Sequence, residues 1–338
     1  MCIVSTSLAN NTNGGEHEDY RFGNGEAFYG NQQIAETMLR QERTTYLSSN
    51  YIKVAKCLRS CRESSTSNGS SPVSVVVSPI GEGAASMCEA WRESICLWAF
   101  DIADRCNLDR QVAAVCMSYL DRYLSKYYSS ESVLGSTDYF SSAGFKMDKK
   151  SLQLASVTCL YIATKLQGHG RRSKLSMGLF VRASDGSFTE KDMERMEIHI
   201  ASTLSWYMHP PTSFDFVILI LMDAFPGWKG PESRLPLISD DGCVSIEKTS
   251  LINHLIDLSR FLTELSICDY YFVTRRPSVV ATAALMVAAG VVDGERCVTR
   301  ISQSSKVILN EDISESHDFD DIFSRLSQLY EQSTEGSH

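Results

Sequence analysis

Leu152 to Leu166 reads LQLASVTCLYIATKL, and the run that opens at Pro277 reads PSVVATAALMVAA. Both stretches are apolar or small almost all the way round at helical spacing. A helix of that kind has no face to offer water, so it belongs at the centre of a bundle, covered on every side. Neither is a membrane span: the longest nearly apolar stretch, Val279 to Val292, falls short of the roughly 20 residues a bilayer requires. Two such helices in one chain imply two bundles, each built round its own buried helix.

The neighbouring segments supply the covers. In the first half, Trp91, Ile95, Trp98 and Ile102 recur at steps of four, three and four along one helical face. Val112, Val115, Tyr119, Leu120 and Tyr123 make the inner stripe of a second helix. A short helix over Leu175 to Arg182 follows the central one. Thr189 then stands three residues before Asp192, a near capping box that opens a fifth helix with Met193, Met196, Ile200 and Leu204 inward. His209-Pro210-Pro211 ends it, because proline removes an amide donor and restricts the residue before it. The second half repeats the scheme with Phe214 to Phe225, Ile246 to Ser266, the Pro277 helix and a last helix from about Asp318 to Gln332. The fold class is all-α: two tandem repeats of about five helices with an N-terminal helical region.

The divisions expected are a flexible tail over 1–30, an N-terminal helix region over 31–59, a Ser/Gly-rich insertion over 60–87, a first repeat over 88–209 and a second over 210–333. A second insertion, rich in Ser, Tyr and Gly, runs over 127–148 and is too long for an ordinary helix connection. Val73 to Val77 gives the one strand-like signal, inside the first insertion.

Composition narrows the function. The 338 residues carry a net charge of −9 and 43% hydrophobic side chains, enough for two packed domains. An acidic chain without a long basic block is not built to grip a nucleic-acid backbone. Eleven cysteines are scattered, most inside helical patterns where a thiol behaves as a small hydrophobe. Cys57 and Cys61 form a close pair with no second pair to complete a zinc site. No metal, cofactor or membrane partner is expected, and the compartment is a reducing one, nucleus or cytoplasm.

With these elements in order, WRESICLWAFDIADRCNL, YLDRYL, LQLASVTCLYIATKL and MERMEIHIASTLSW resemble the cyclin box, and LSRFLTELSICDYYFVTRRPSVVATAALMVAA resembles the C-terminal cyclin fold. Arg92, Asp121, Leu154, Lys165 and Glu197 match five positions typical of the box. The helix before it, MLRQERTTYLSSNYI, is most similar to that of D-type cyclins, although their Leu-x-Cys-x-Glu motif is absent. Gln167 and Gly168 stand where the family usually has two glutamates. The resemblance implies a regulatory subunit, itself not an enzyme, that binds a cyclin-dependent Ser/Thr protein kinase, activates it allosterically and so controls cell-cycle progression.

It also implies roles. Lys165 and Glu197 would pair and clasp backbone groups of the kinase, with Leu166, Trp206 and Met208 as exposed apolar neighbours; the charge pattern alone allows a plain ion pair. The N-terminal helix, Ile34 to Tyr51, would rest on the kinase as well. Trp91, Ile95, Trp98 and Gln153 match a shallow patch that docks substrate or inhibitor peptides, though the two tryptophans equally suit a core. Arg92 and Asp121 are expected to be a structural, partly buried bidentate pair. Two other functions fit less of the chain. A cyclin-fold scaffold of the transcription-factor type would want a basic face for DNA. A helical metal-dependent enzyme would use the acidic run Asp318 to Asp321, which also suits the dipole at a helix start.

Overall fold

Residues 24–57, 83–134, 149–167, 175–184, 186–228, 230–231, 246–312 and 317–335 are described by a computed structural model, and among them every regular element is helical. The elements are α1 (Asn24–Thr44), α2 (Gly83–Arg105), α3 (Gln111–Leu134), α4 (Lys149–Gln167), α5 (Met177–Ala183), α6 (Glu190–Thr203), α7 (Ser213–Ala224), α8 (Ile246–Cys268), a 3-10 turn (Tyr270–Thr274), α9 (Pro277–Val292), α10 (Glu295–Leu309) and α11 (His317–Glu335). A further helical segment covers 51–57.

The two all-round apolar stretches are the central helices. In α4 every residue from Leu154 to Leu160 is buried, as are Ile162, Ala163 and Thr164. In α9 burial runs from Ser278 to Leu285 and again over Val287 to Ala289. Each gathers its own core. Tyr119, Tyr123, Leu160, Met193, Met196 and Ile200 pack in the first repeat, and Phe216, Ile220, Leu255, Leu285, Ile301 and Leu326 in the second. Burying a large aliphatic or aromatic side chain contributes about 1.5–3 kcal/mol, so the central helices hold each repeat together.

Helix starts follow local chemistry. The Thr189 hydroxyl accepts from the Asp192 amide while Asp192 accepts from the Thr189 amide, a complete capping box at α6. Thr212 and Asp215 repeat the same reciprocal pair at α7. Pro277 begins α9, where its missing amide proton leaves nothing unsatisfied.

Several boundaries differ from the sequence pattern. Helix α1 begins at Asn24, inside the stretch read as tail, and α2 begins at Gly83, inside the stretch read as insertion. Helix α3 continues to Leu134, so the run from 127 begins as helix; Tyr127 is buried, and Tyr128 stacks on Tyr51 with ring centroids 6.4 Å apart. The rest of both insertions, Val73 to Val77 included, lies outside the described residues. Helix α10 has no counterpart in the sequence reading and supplies the missing fifth member of the second repeat.

Helix α1 packs on the second repeat, with Ala35 and Leu39 in its core. Buried Glu42 accepts from the Ser278 amide (2.9 Å) and hydroxyl (2.6 Å). A carboxylate there caps the free amides at the start of α9 and lies against its positive dipole end.

Candidate functional site

Two clusters of charged residues stand on the first repeat, one buried and one exposed. The buried cluster begins at Arg92, on α2. Its Nε donates to Asp121 Oδ1 (2.9 Å) and its Nη2 to Asp121 Oδ2 (2.8 Å), a bidentate pair joining α2 to α3. The Tyr51 hydroxyl also donates to Asp121 Oδ1 (2.9 Å). The remaining nitrogen, Nη1, reaches the carbonyls of Ile267 (2.8 Å) and Cys268 (3.2 Å) at the end of α8. Burial opposes the guanidinium charge, but the Asp121 carboxylate overrides it and holds Arg92 above its ordinary range. The Arg92–Asp121 pair therefore ties together α2, α3, the N-terminal segment and the second repeat. The bidentate geometry and the burial of both partners fit the structural tie expected of Arg92 and Asp121.

The exposed cluster sits at the C-terminal end of α4. Lys165 Nζ donates to Glu197 Oε1 across to α6 at 2.8 Å. That hydrogen bond, more than the opposing burial, raises the Lys165 ammonium above its ordinary value. Lys165 also lies in the last turn of α4, where a cation suits the helix dipole. The pair is open to solvent, with the Lys165 side chain 53% exposed, so its contribution to stability is at most about 1 kcal/mol.

The same repeat leaves several large apolar side chains uncovered on α4, on α6 and just beyond α6. Leu166 is 40% exposed and Trp206 69%. Ile198 and Tyr207, which the sequence pattern did not single out, are exposed as well. Ser205 and Trp206 both have positive φ, 54° and 63°. That left-handed turn follows the end of α6, where the Trp206 amide bonds back to the Ala201 carbonyl. A bulky residue pays a steric penalty in this region. Tyr207 is held from behind: Arg122 Nη1 donates to its carbonyl (3.0 Å), and its ring meets Tyr46 edge-on at 6.3 Å.

Met208 does not join this surface. Its side chain is buried in the first core and its carbonyl accepts from the Tyr119 hydroxyl. The His-Pro-Pro that follows turns the chain inward towards α7, so the exposure expected of Met208 is corrected to burial. Helix α1 and the 51–57 segment are also engaged within the chain, while Ile34 of α1 and Leu47 of the connection between them face outward.

On the other side of α2, Trp91, Ile95 and Trp98 are half-buried and Gln153 of α4 is exposed. Lys149 Nζ lies 5.6 Å from the Trp91 ring. Ile95 and Leu152 line a small hollow with Tyr51, Leu120 and Tyr128. Trp91 and Ile95 of α2 thus lie beside the start of α4. Ser94, also on α2, turns its hydroxyl to the Ala90 carbonyl.

The acidic run His317 to Asp321 forms the first turn of α11, and Asp318 pairs with Arg275 at 2.8 Å. Among the described residues no group of three or more His, Cys, Asp or Glu is placed to share a metal ion, and no helix is long and apolar enough to cross a membrane.

Two tandem helical repeats, a buried Arg–Asp tie and an exposed Lys–Glu pair are the features that the comparisons with known proteins bear on. Residues 78–209 match the model of the cyclin N-terminal domain, and residues 243–338 that of the cyclin C-terminal domain. The chain belongs to the cyclin family. It is 23% identical over 217 residues to G2/mitotic-specific cyclin-B of Hydra vulgaris, covering 64% of this chain and 47% of that protein. It is 24% identical over 204 residues to Cyclin-A1-2 of Arabidopsis thaliana, covering 60% and 37%. With Cyclin-D6-1 of Oryza sativa subsp. japonica it shares 27% over 184 residues, covering 54% and 47%. The match thus spans less than half the length of each of these relatives. A solved viral cyclin from herpesvirus saimiri aligns at TM-score 0.48 and 16% identity, over 71% of this chain and 84% of that one; the assignment rests on the two domain matches.

Proposed function

We propose that this cyclin is the regulatory subunit of a cyclin-dependent Ser/Thr protein kinase. It binds the kinase through the surface round Lys165 and Glu197 and switches it on. The observation that carries the reading is the exposed 2.8 Å Lys165–Glu197 pair, on a repeat that also exposes Leu166, Ile198, Trp206 and Tyr207. An apolar patch with a few directed donors and acceptors at its centre is what a kinase-sized interface uses. In the pair, Lys165 keeps free ammonium protons and Glu197 a free oxygen lone pair, so both can reach backbone groups of a partner without parting from each other. The strained backbone under Trp206 fits a side chain held outward for contact.

The cyclin supplies no chemistry in this scheme. Binding selects the kinase conformation in which the movable helix brings its glutamate to the catalytic lysine, completing the phosphoryl-transfer site. The half-buried Trp91, Ile95 and Trp98 with Gln153 offer a second, shallower surface for substrate or inhibitor peptides. Nucleus and cytoplasm, where such kinases act, are the proposed locations. The chain is purified from its native cells under gentle conditions and its companions are identified by mass spectrometry. A protein kinase at stoichiometric yield is expected; a DNA-binding complex without any kinase would favour the scaffold reading instead.

A further inference from the structure

Cys96 and Cys268 lie 172 residues apart in sequence, on different repeats, yet their sulfurs are 3.1 Å apart. Both are free thiols. Their meeting follows from the buried cluster. Arg92 holds the carbonyls of Ile267 and Cys268 against α2, and Cys96 follows Arg92 by one helical turn on the same face. Cys96 is fully buried, while Cys268 is partly open to solvent. The two differ in character as well. The hydrogen bond from Cys96 lowers the Cys268 thiol despite its burial, and the Arg92 charge acts in the same direction. The same hydrogen bond, together with burial, pushes the Cys96 thiol up.

We propose that Cys96 and Cys268 form a peroxide-sensitive modification site, which on oxidation closes into a disulfide that staples the two repeats together. The partly exposed, more acidic Cys268 is the attacking thiol, since the thiolate is the nucleophile. Its sulfur attacks hydrogen peroxide: an S–O bond forms, the O–O bond breaks, and hydroxide leaves as water with the Cys268 proton. The Cys96 sulfur then attacks the Cys268 sulfenic acid. The S–S bond forms, the S–O bond breaks, and a second water leaves with the Cys96 proton. Two thiols lose two electrons and two protons, and one peroxide is reduced to two waters. A disulfide needs the sulfurs at about 2.05 Å, so they must approach by about 1 Å, within the reach of side-chain adjustment. In a reducing compartment the resting state is the dithiol.

The test uses the full chain, reduced, treated with hydrogen peroxide, quenched in denaturant with an alkylating agent and digested without reductant. Mass spectrometry should find the Cys96 peptide joined to the Cys268 peptide, and dithiothreitol should separate them. Exposed Cys57 serves as the reference thiol. In Cys96→Ser the joined peptide should vanish and dimedone should trap a sulfenic acid on Cys268; if that variant does not fold, the wild-type map decides alone. Full alkylation of Cys96 and Cys268 after a dose that oxidises Cys57 would overturn the proposal. So would Cys268 joined to any other cysteine.

Discussion

Replacing Asp121 by alanine removes the carboxylate that accepts from Arg92 Nε, Arg92 Nη2 and the Tyr51 hydroxyl at 2.8–2.9 Å. Arg92 is buried and keeps only the two carbonyl bonds to Ile267 and Cys268. A buried charge that loses its partner costs about 3–5 kcal/mol. The stranded Tyr51 hydroxyl, itself buried, adds about 1–3 kcal/mol. Domain stabilities are about 5–15 kcal/mol, so Asp121→Ala should lose a large part of the whole. Urea denaturation followed by far-ultraviolet circular dichroism measures it, with Arg92→Ala and the double variant completing a cycle. Because each single change strands the other side chain, the two effects should not add, and the coupling should reach the upper end of about 0.5–3 kcal/mol. A loss below about 1 kcal/mol for Asp121→Ala, or additivity within about 0.5 kcal/mol, refutes the reasoning.

Burial lowers the His199 imidazole below its ordinary value of 6.5. Its contribution is therefore full above that value and is lost as pH falls through the lowered one, so wild-type stability should drop more than that of His199→Phe as pH falls below 6.5; parallel melting curves for the two would count against it. Thr189→Ala and Thr212→Ala should each cost about 1 kcal/mol by denaturant titration, through loss of the two matching capping boxes. Trp206→Gly removes a side chain from a left-handed position, so stability should stay level or rise by about 1 kcal/mol while kinase capture falls. A clear loss of stability, or undiminished capture, would contradict the surface role given to Trp206.

What could be read from the sequence was whatever repeats at short range. The central helices declare themselves because α4 and α9 have no polar face, and the α6 start does so through the Thr189–Asp192 spacing. Helix α10 was missed because serines interrupt its inner stripe: Cys297, Ile301, Ile308 and Leu309 share burial with Ser304 and Ser305. Gly294 before it supplies no side-chain cap. The Tyr-rich end of α3 resembles loop until Tyr128 meets Tyr51 across the fold. Met208 is read as surface from its place near the Lys165–Glu197 pair, and only the tertiary bond from Tyr119 shows why it turns inward. The Lys165–Glu197 and Arg92–Asp121 partners were legible by resemblance, since helix order brings α2, α3, α4 and α6 together. The third arm of Arg92, to the carbonyls of Ile267 and Cys268, was not, because free carbonyls at a helix end carry no residue type to recognise. Glu42 on the Ser278 amide was hidden likewise, because a free amide at a helix start carries no residue type either.

The most direct test of the kinase-subunit reading is capture of the kinase by the wild-type chain and by Lys165→Ala, Glu197→Ala, each immobilised at equal loading. The pair is exposed, so the double variant should keep its helical circular dichroism and its melting temperature while losing kinase capture and the associated protein-kinase activity. Undiminished capture and activity in a folded double variant would contradict the central claim.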